Sequence, residues 1–154
     1  MSKLIRFENL REGQSIKVEG KYCKNGKFIA VEINLRPPEN NDVIIGMIEK
    51  VDRQNQRLRI FGNDFFLKNG IEIRDLNYNR TGIDALDSQA MVKLKGKYTA
   101  FEGFVTEKLK LQETLAFNID KLKGKIEKID REAGTLKING ITISVNDQTT
   151  IEGD

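Results

Sequence analysis

The chain has 154 residues, 38% hydrophobic and 32% charged, with a formal net charge of +3. The apolar supply is thin for one large core and suits two small ones. The charge falls well short of that of a dedicated nucleic-acid binder. Histidine is absent and Cys23 is the one cysteine, which excludes thiol–imidazole catalysis, intrachain disulfides and structural zinc sites. No apolar run is long enough to span a bilayer. The opening Met-Ser-Lys-Leu-Ile-Arg-Phe lacks the continuous apolar stretch of a signal peptide. The expectation is a cytoplasmic protein, or an extracytoplasmic one if a signal has been removed.

From the N-terminus, residues 10–22 read LREGQSIKVEGKY, with Ile16 and Val18 alternating against Lys17 and Glu19 as on a half-buried strand. Asn25-Gly26 turns the chain into a second strand, FIAVEINL, and Cys23 reads as a small hydrophobe within this pattern. Pro37-Pro38 marks a stiff connector. Residues 46–62, GMIEKVDRQNQRLRIFG, then supply further strands, and residues 81–88 offer at most one or two helical turns. The leucine spacing of residues 106–122 admits a helix, the main challenge to an all-β reading. Near the C-terminus, Leu136, Ile138, Ile141, Ile143 and Val145 alternate around Asn139-Gly140, the strongest hairpin signal in the chain.

These segments repeat. Residues 124–140, GKIEKIDREAGTLKING, match residues 46–62 without a gap, with nine identities in seventeen positions. Residues 86–98, LDSQAMVKLKGKY, match residues 10–22. The chain is therefore ordered B–A–B–A, where each B half offers two strands and each A half three. The expected fold is all-β, two small five-stranded barrels.

The pattern G-x-I-x-x-I-D, T-L-x-I-x-G, I-x-V, T-x-I-x-G over residues 124–153 resembles the bacterial family called domain of unknown function 5666. Leu10, Gly13, Ile16, Val18, Gly20, Gly26, Ala30 and Ile33 fit the segment that follows it in that family, while Gln89 and Thr106 depart from it in the second copy. The resemblance implies OB-like barrels with A preceding B. Residues 43–111 would then be one complete module. Residues 4–35 plus 121–153 would form a second, closed within the chain or completed by neighbouring subunits. Family members are often exported. The motifs are turn glycines and core aliphatics, so they imply a fold and no chemistry.

Asp75, Asn77 and Asn79 alternate as in a calcium loop, but Arg80 and Leu86 stand where a glycine and a bidentate glutamate belong, which favours a plain linker. Glu49 with Asp52, and Glu127 with Asp130, read as surface ion pairs and turn-stabilising carboxylates, not catalytic pairs. Phe61 and Phe66 occupy the positions of the polar Asn139 and Ser144, so they are expected to point outward beside Arg57 and Arg59. There they would cover a seam between modules or stack the bases of a single strand. Lys17, Lys21, Lys93, Lys95 and Lys97 form a repeated basic stripe, read first as a solvated face. The expected function is a non-enzymatic binding or structural module acting through protein–protein contacts or self-association, with no cofactor, metal or small-molecule substrate. The alternative is single-stranded nucleic-acid binding, at about micromolar affinity or poorer in physiological salt.

Overall fold

The computed structural model describes residues 3–114 and 119–153, nearly all of them in strands and turns. The strands are β1 (Lys3–Leu4), β2 (Ser15–Tyr22), β3 (Phe28–Leu35), β4 (Asp42–Met47), β5 (Lys50–Asp52), β6 (Arg57–Ile60), β7 (Asn63–Phe66), β8 (Glu72–Arg74) and β9 (Arg80–Thr81). They continue with β10 (Met91–Thr99), β11 (Gly103–Gln112), β12 (Asp120–Asp130), β13 (Thr135–Ile138), β14 (Ile141–Ser144) and β15 (Thr150–Gly153). The region that admitted a helix is strand at both ends, in β11 and β12, while residues 115–118 lie outside the described residues. Leucine spacing misleads there because two strands, each alternating with period two, are read across the join. Only a short 3-10 turn, Ile83–Ala85, forms within residues 81–88. Cys23 sits half-buried at the β2–β3 turn, not within a strand.

Six strands form one continuous run in the order β3-β2-β12-β4-β10-β11. Register places Ile33, Val18, Leu122, Ile44, Leu94 and Leu109 in a single row across all six. Every one of them is at most 1% exposed. Strand alternation explains the row, since each residue's chain neighbours point to the opposite face. In the middle of the run, Ile44 pairs with Leu122, which is the equivalent position of the other repeat. Antiparallel pairing centred on equivalent residues relates the two repeats by a local two-fold axis. The register slips once in each hairpin, beyond Glu19 and beyond Lys95. There the bare Gly20 and Gly96 lie so close to the carbonyls of Ile29 and Val105 that a Cβ would overlap them.

The N-terminal hairpin meets the C-terminal strands of the same chain. A five-strand barrel closes through β12-β13-β14-β3-β2, the last ladder returning from β2 to β12. β15 adds to β3 and β1 to β15. The central segment repeats the order with β4/β5, β6, β7, β11 and β10, but no ladder joins β7 to β11 among the described residues. Instead the rings of Phe65 and Phe104 meet edge to face at 5.8 Å. In the closed barrel the corresponding positions are Ile143 and Phe28, which lie opposite each other in the β14–β3 ladder. Two facing rings need more room than a ring and an isoleucine, so side-chain packing closes the central barrel where backbone bonds close the other.

Equivalent side chains brace each barrel and then reach across the axis. Asp120 Oδ2 accepts the Tyr22 N–H at 2.9 Å, and Asp42 Oδ2 accepts the Tyr98 N–H at 2.7 Å. The tyrosine side chains then cross over, Tyr22 to the Phe61-Gly62 turn and Tyr98 to the Asn139-Gly140 turn. Tyr98 donates its hydroxyl to Glu127 Oε2 at 2.5 Å. Both turns hold a left-handed pair, with φ of 52° and 71° at Phe61-Gly62 and 54° and 81° at Asn139-Gly140, as a tight hairpin requires.

Backbone closure differs between the barrels, so hydrogen exchange should differ too. Amides of residues 143–144 are expected to exchange markedly more slowly than those of residues 65–66, as measured by native-state exchange in NMR spectra. Equal protection at the two sites would contradict the asymmetric closure. Burial and the Glu127 carboxylate push the Tyr98 phenol up from 10.0 to about 12. Because the folded-state value is raised, the contribution of this group to stability is complete below pH 10 and is lost as pH climbs toward 12. Ultraviolet titration should show a tyrosine ionising at about 12 that is absent in Tyr98→Phe, and that variant should lose less stability over this window.

Candidate functional site: a lysine groove on one barrel

With Leu94 and Leu109 buried, the alternate residues of β10 and β11 face outward. Lys93 stands opposite Lys110, and Lys95 opposite Lys108. β8 runs alongside, placing Glu72 opposite Lys108 and Arg74 opposite Lys110. Toward the seam, Val43 and Ile45 of β4 separate these lysines from Lys123 and Lys121 of β12. The loop after β8 forms the outer wall. Asp75 Oδ1 accepts the N–H groups of Asn77 and Asn79, both at 2.9 Å, folding the loop back on itself. Arg74 Nη1 donates to the Tyr78 carbonyl at 3.1 Å. The Tyr78 ring meets the Lys110 ammonium at 4.4 Å from its centroid while staying 68% exposed. Floor and wall enclose an open groove of about 610 Å³ lined by Arg74, Tyr78, Lys93, Lys95, Lys108 and Lys110, among others.

The electrostatics of this groove are one-sided. Arg74 pairs with Glu72 at 3.1 Å, and that bond holds the Glu72 carboxyl below its ordinary range. Lys93, Lys95, Lys108, Lys110 and Lys123 form no ion pair among the described residues. Burial, followed by the charges of Lys95, Lys123 and Lys110, pushes the Lys93 ammonium down, against a weaker opposing pull from Glu39. Like charges directly opposite on paired strands are destabilising, and here two such pairs lie side by side.

The other barrel supplies an internal comparison. Its equivalents of Lys93, Lys95, Lys108, Lys110 and Arg74 are Lys17, Glu19, Glu32, Asn34 and Glu152. Lys17 pairs with Glu19 at 3.3 Å, and Lys121 approaches the same carboxylate at 3.9 Å. One scaffold thus carries an uncompensated cationic groove on one barrel and a mixed, internally paired face on the other.

The residues expected from sequence fall into separate places. Lys93 and Lys95 lie in the groove, and Lys17 on its twin face. Lys21 and Lys97 are exposed but line no groove with Lys93 and Lys95. Arg57, Arg59 and Phe66 sit on the small β5-β6-β7 sheet, Arg57 opposite Phe66 and Arg59 opposite Asp64. Phe66 is 57% exposed, and Arg59 Nε donates to Asp64 Oδ1 at 3.0 Å. Phe61 does not point outward. It is 5% exposed and packs on Tyr22 and Phe28, with ring centroids 5.6 and 5.1 Å away. Its counterpart Asn139 is 3% exposed and donates to the carbonyls of Val43 and Lys123 at 3.2 and 3.0 Å. The left-handed turn reverses the parity that strand alternation predicts, so both side chains enter the seam. Phe61 cannot stack on a bound base.

The paired carboxylates serve the turns, as Glu49 Oε1 accepts the Gly62 N–H at 2.6 Å and Asp52 Oδ1 accepts the Asn55 N–H at 3.1 Å. Asp75 is likewise engaged with its own loop, and no group of three or more potential metal ligands occurs among the described residues. Sequence reading missed Arg74, Tyr78, Lys108 and Lys110. The signal for Lys108 and Lys110 was the alternation E-K-L-K-L-Q over residues 107–112, which the helical spacing obscured, whereas Arg74 and Tyr78 reach the groove only through the pairing of β8 with β11.

The profile of a family described as "Domain of unknown function (DUF5666)" matches residues 123–154, the C-terminal A half. No curated protein and no solved structure matches the chain.

Lys93→Gln combined with Lys95→Gln should stabilise the protein by about 0.5–1 kcal/mol in low salt, because two cross-strand repulsions are relieved. Urea unfolding at rising salt is the measurement. The parent is expected to gain more from screening than the double variant does.

Proposed function

We propose that this chain is a non-enzymatic binding module that engages an anionic partner through the lysine groove of residues 72–112. The observation that carries this reading is the uncompensated cluster of Lys93, Lys95, Lys108 and Lys110, on one barrel and not at the equivalent positions of the other. Such a cluster costs stability when empty and becomes favourable when an anion enters. The reading includes both copies as modules of the DUF5666 family with an OB-like strand arrangement. Its support is the gap-free repeat and the equivalent tyrosine and aspartate bonds of the two halves.

A second reading is docking of a protein partner, or of another copy, on the β5-β6-β7 sheet. Its support is Phe66, an exposed ring beside Arg57 on a small outward face. One NMR titration with a sulfated polysaccharide distinguishes the two. The groove reading expects salt-sensitive shifts concentrated at residues 72–78, 93–95 and 108–112. Shifts confined to residues 50–66, or concentration-dependent line broadening there without polyanion, would favour the second reading.

A further inference from the structure

We infer that the anion taken by this groove is the backbone of a single-stranded nucleic acid, with a base resting on Tyr78. The inference rests on the groove reading above and adds the identity of the partner. Five side chains supply the positive charge, and four of them are lysines. A lysine ammonium is a compact point charge that suits phosphate oxygens from any direction, whereas carboxylate recognition favours the planar fork of arginine. The one arginine, Arg74, already holds Glu72. Lysines alternate along each strand at roughly 6.7 Å and face each other across strands at roughly 4.8 Å. This grid lets an extended backbone lay successive charges along the groove.

Tyr78 decides between a nucleic acid and an acidic polypeptide. Its loop is pinned by Asp75, its carbonyl is held by Arg74, and its ring rests against Lys110. The side chain is therefore positioned before any ligand arrives, and 68% of the residue remains open at the lip of the groove. A flat ring beside a cationic channel is the combination that binds unpaired bases without sequence preference. A string of carboxylates gains nothing from such a ring. A duplex offers no unstacked base to it. At a net charge of +3, with a mixed face on the other barrel, binding at physiological salt is expected to be weak, on the order of micromolar.

Fluorescence anisotropy of the full chain with a short labelled oligothymidylate, repeated across a salt series, tests the inference. Poly-glutamate of matched charge serves as competitor. The oligonucleotide should bind with a negative slope of log affinity against log salt. Lys93→Gln with Lys95→Gln should reduce that slope by about 1.4, since each single-strand phosphate contact contributes about 0.7. Tyr78→Ala should weaken binding by about fivefold or more while leaving the slope unchanged, as loss of one stacked base predicts. Lys17→Gln, at the position equivalent to Lys93, should change neither. If poly-glutamate competes as well as unlabelled oligonucleotide and Tyr78→Ala has no effect, the partner is an acidic polypeptide and this inference is overturned while the groove reading stands. If neither polymer binds in low salt, or the double lysine variant binds like the parent, the groove reading itself fails.

Discussion

The antiparallel ladder between β4 and β12 is the constraint on which the structure depends. Because Ile44 lies opposite Leu122, the two repeats are forced into a two-fold relation, and their buried rows merge into one. Neither half has enough apolar surface for a large core, but six strands sharing one aliphatic row bury it without a gap. The crossing tyrosines follow from the same geometry. Each B hairpin reaches past the axis, so the tyrosine near the end of its first strand lands on a turn of the opposite barrel. The seam is thus continuous sheet braced by side chains, and the two barrels are joined far more closely than two beads on a linker.

Much of this was legible in the sequence, for a physical reason. Strand alternation in IKV and VKL, the turn at Asn139-Gly140 and the unbroken match of residues 46–62 with 124–140 all report local backbone preference, which short segments encode directly. What stayed hidden depends on three-dimensional context. The parity rule placed Phe61 and Asn139 outside, because it cannot include a left-handed turn that swings both inward. Lys108 and Lys110 lay within a stretch whose leucines fit a helical period as well as a strand. Tyr78 belongs to a loop, and only the parallel placement of β8 beside β11 brings it to the lysines. A groove assembled from β8, β10 and β11 has no contiguous signature.

The same scaffold also shows how the two repeats share a buried pattern and differ at the surface. Buried positions are tied to each other along the row, so Ile44 and Leu122, which lie opposite each other at the axis, must stay aliphatic together. Outward positions need only remain soluble, and there the copies part company: Lys95 against Glu19, Lys108 against Glu32, Arg74 against Glu152. Even the barrel wall differs, with Phe65 and Phe104 on one side and Ile143 and Phe28 on the other. The barrel without a closing ladder among the described residues is the one that carries the groove.

The order in which the chain leaves the ribosome gives the closed barrel an unusual history. Its first hairpin, β2–β3, is made early, yet the strand that covers β2 comes from the far end; the bond from Tyr22 to Asp120 spans 98 residues. Throughout elongation that hairpin exists without its partner, with Ile16 and Val18 unprotected and two sheet edges bare. The central segment, β4 to β11, is synthesised in between. It then offers β4 as the docking edge for β12, and the arrival of β12 finally covers the waiting hairpin. Closure between opposite ends of a chain is slow relative to local pairing. In this molecule β12, synthesised well after β2 and β3, is therefore the strand that ends their exposure.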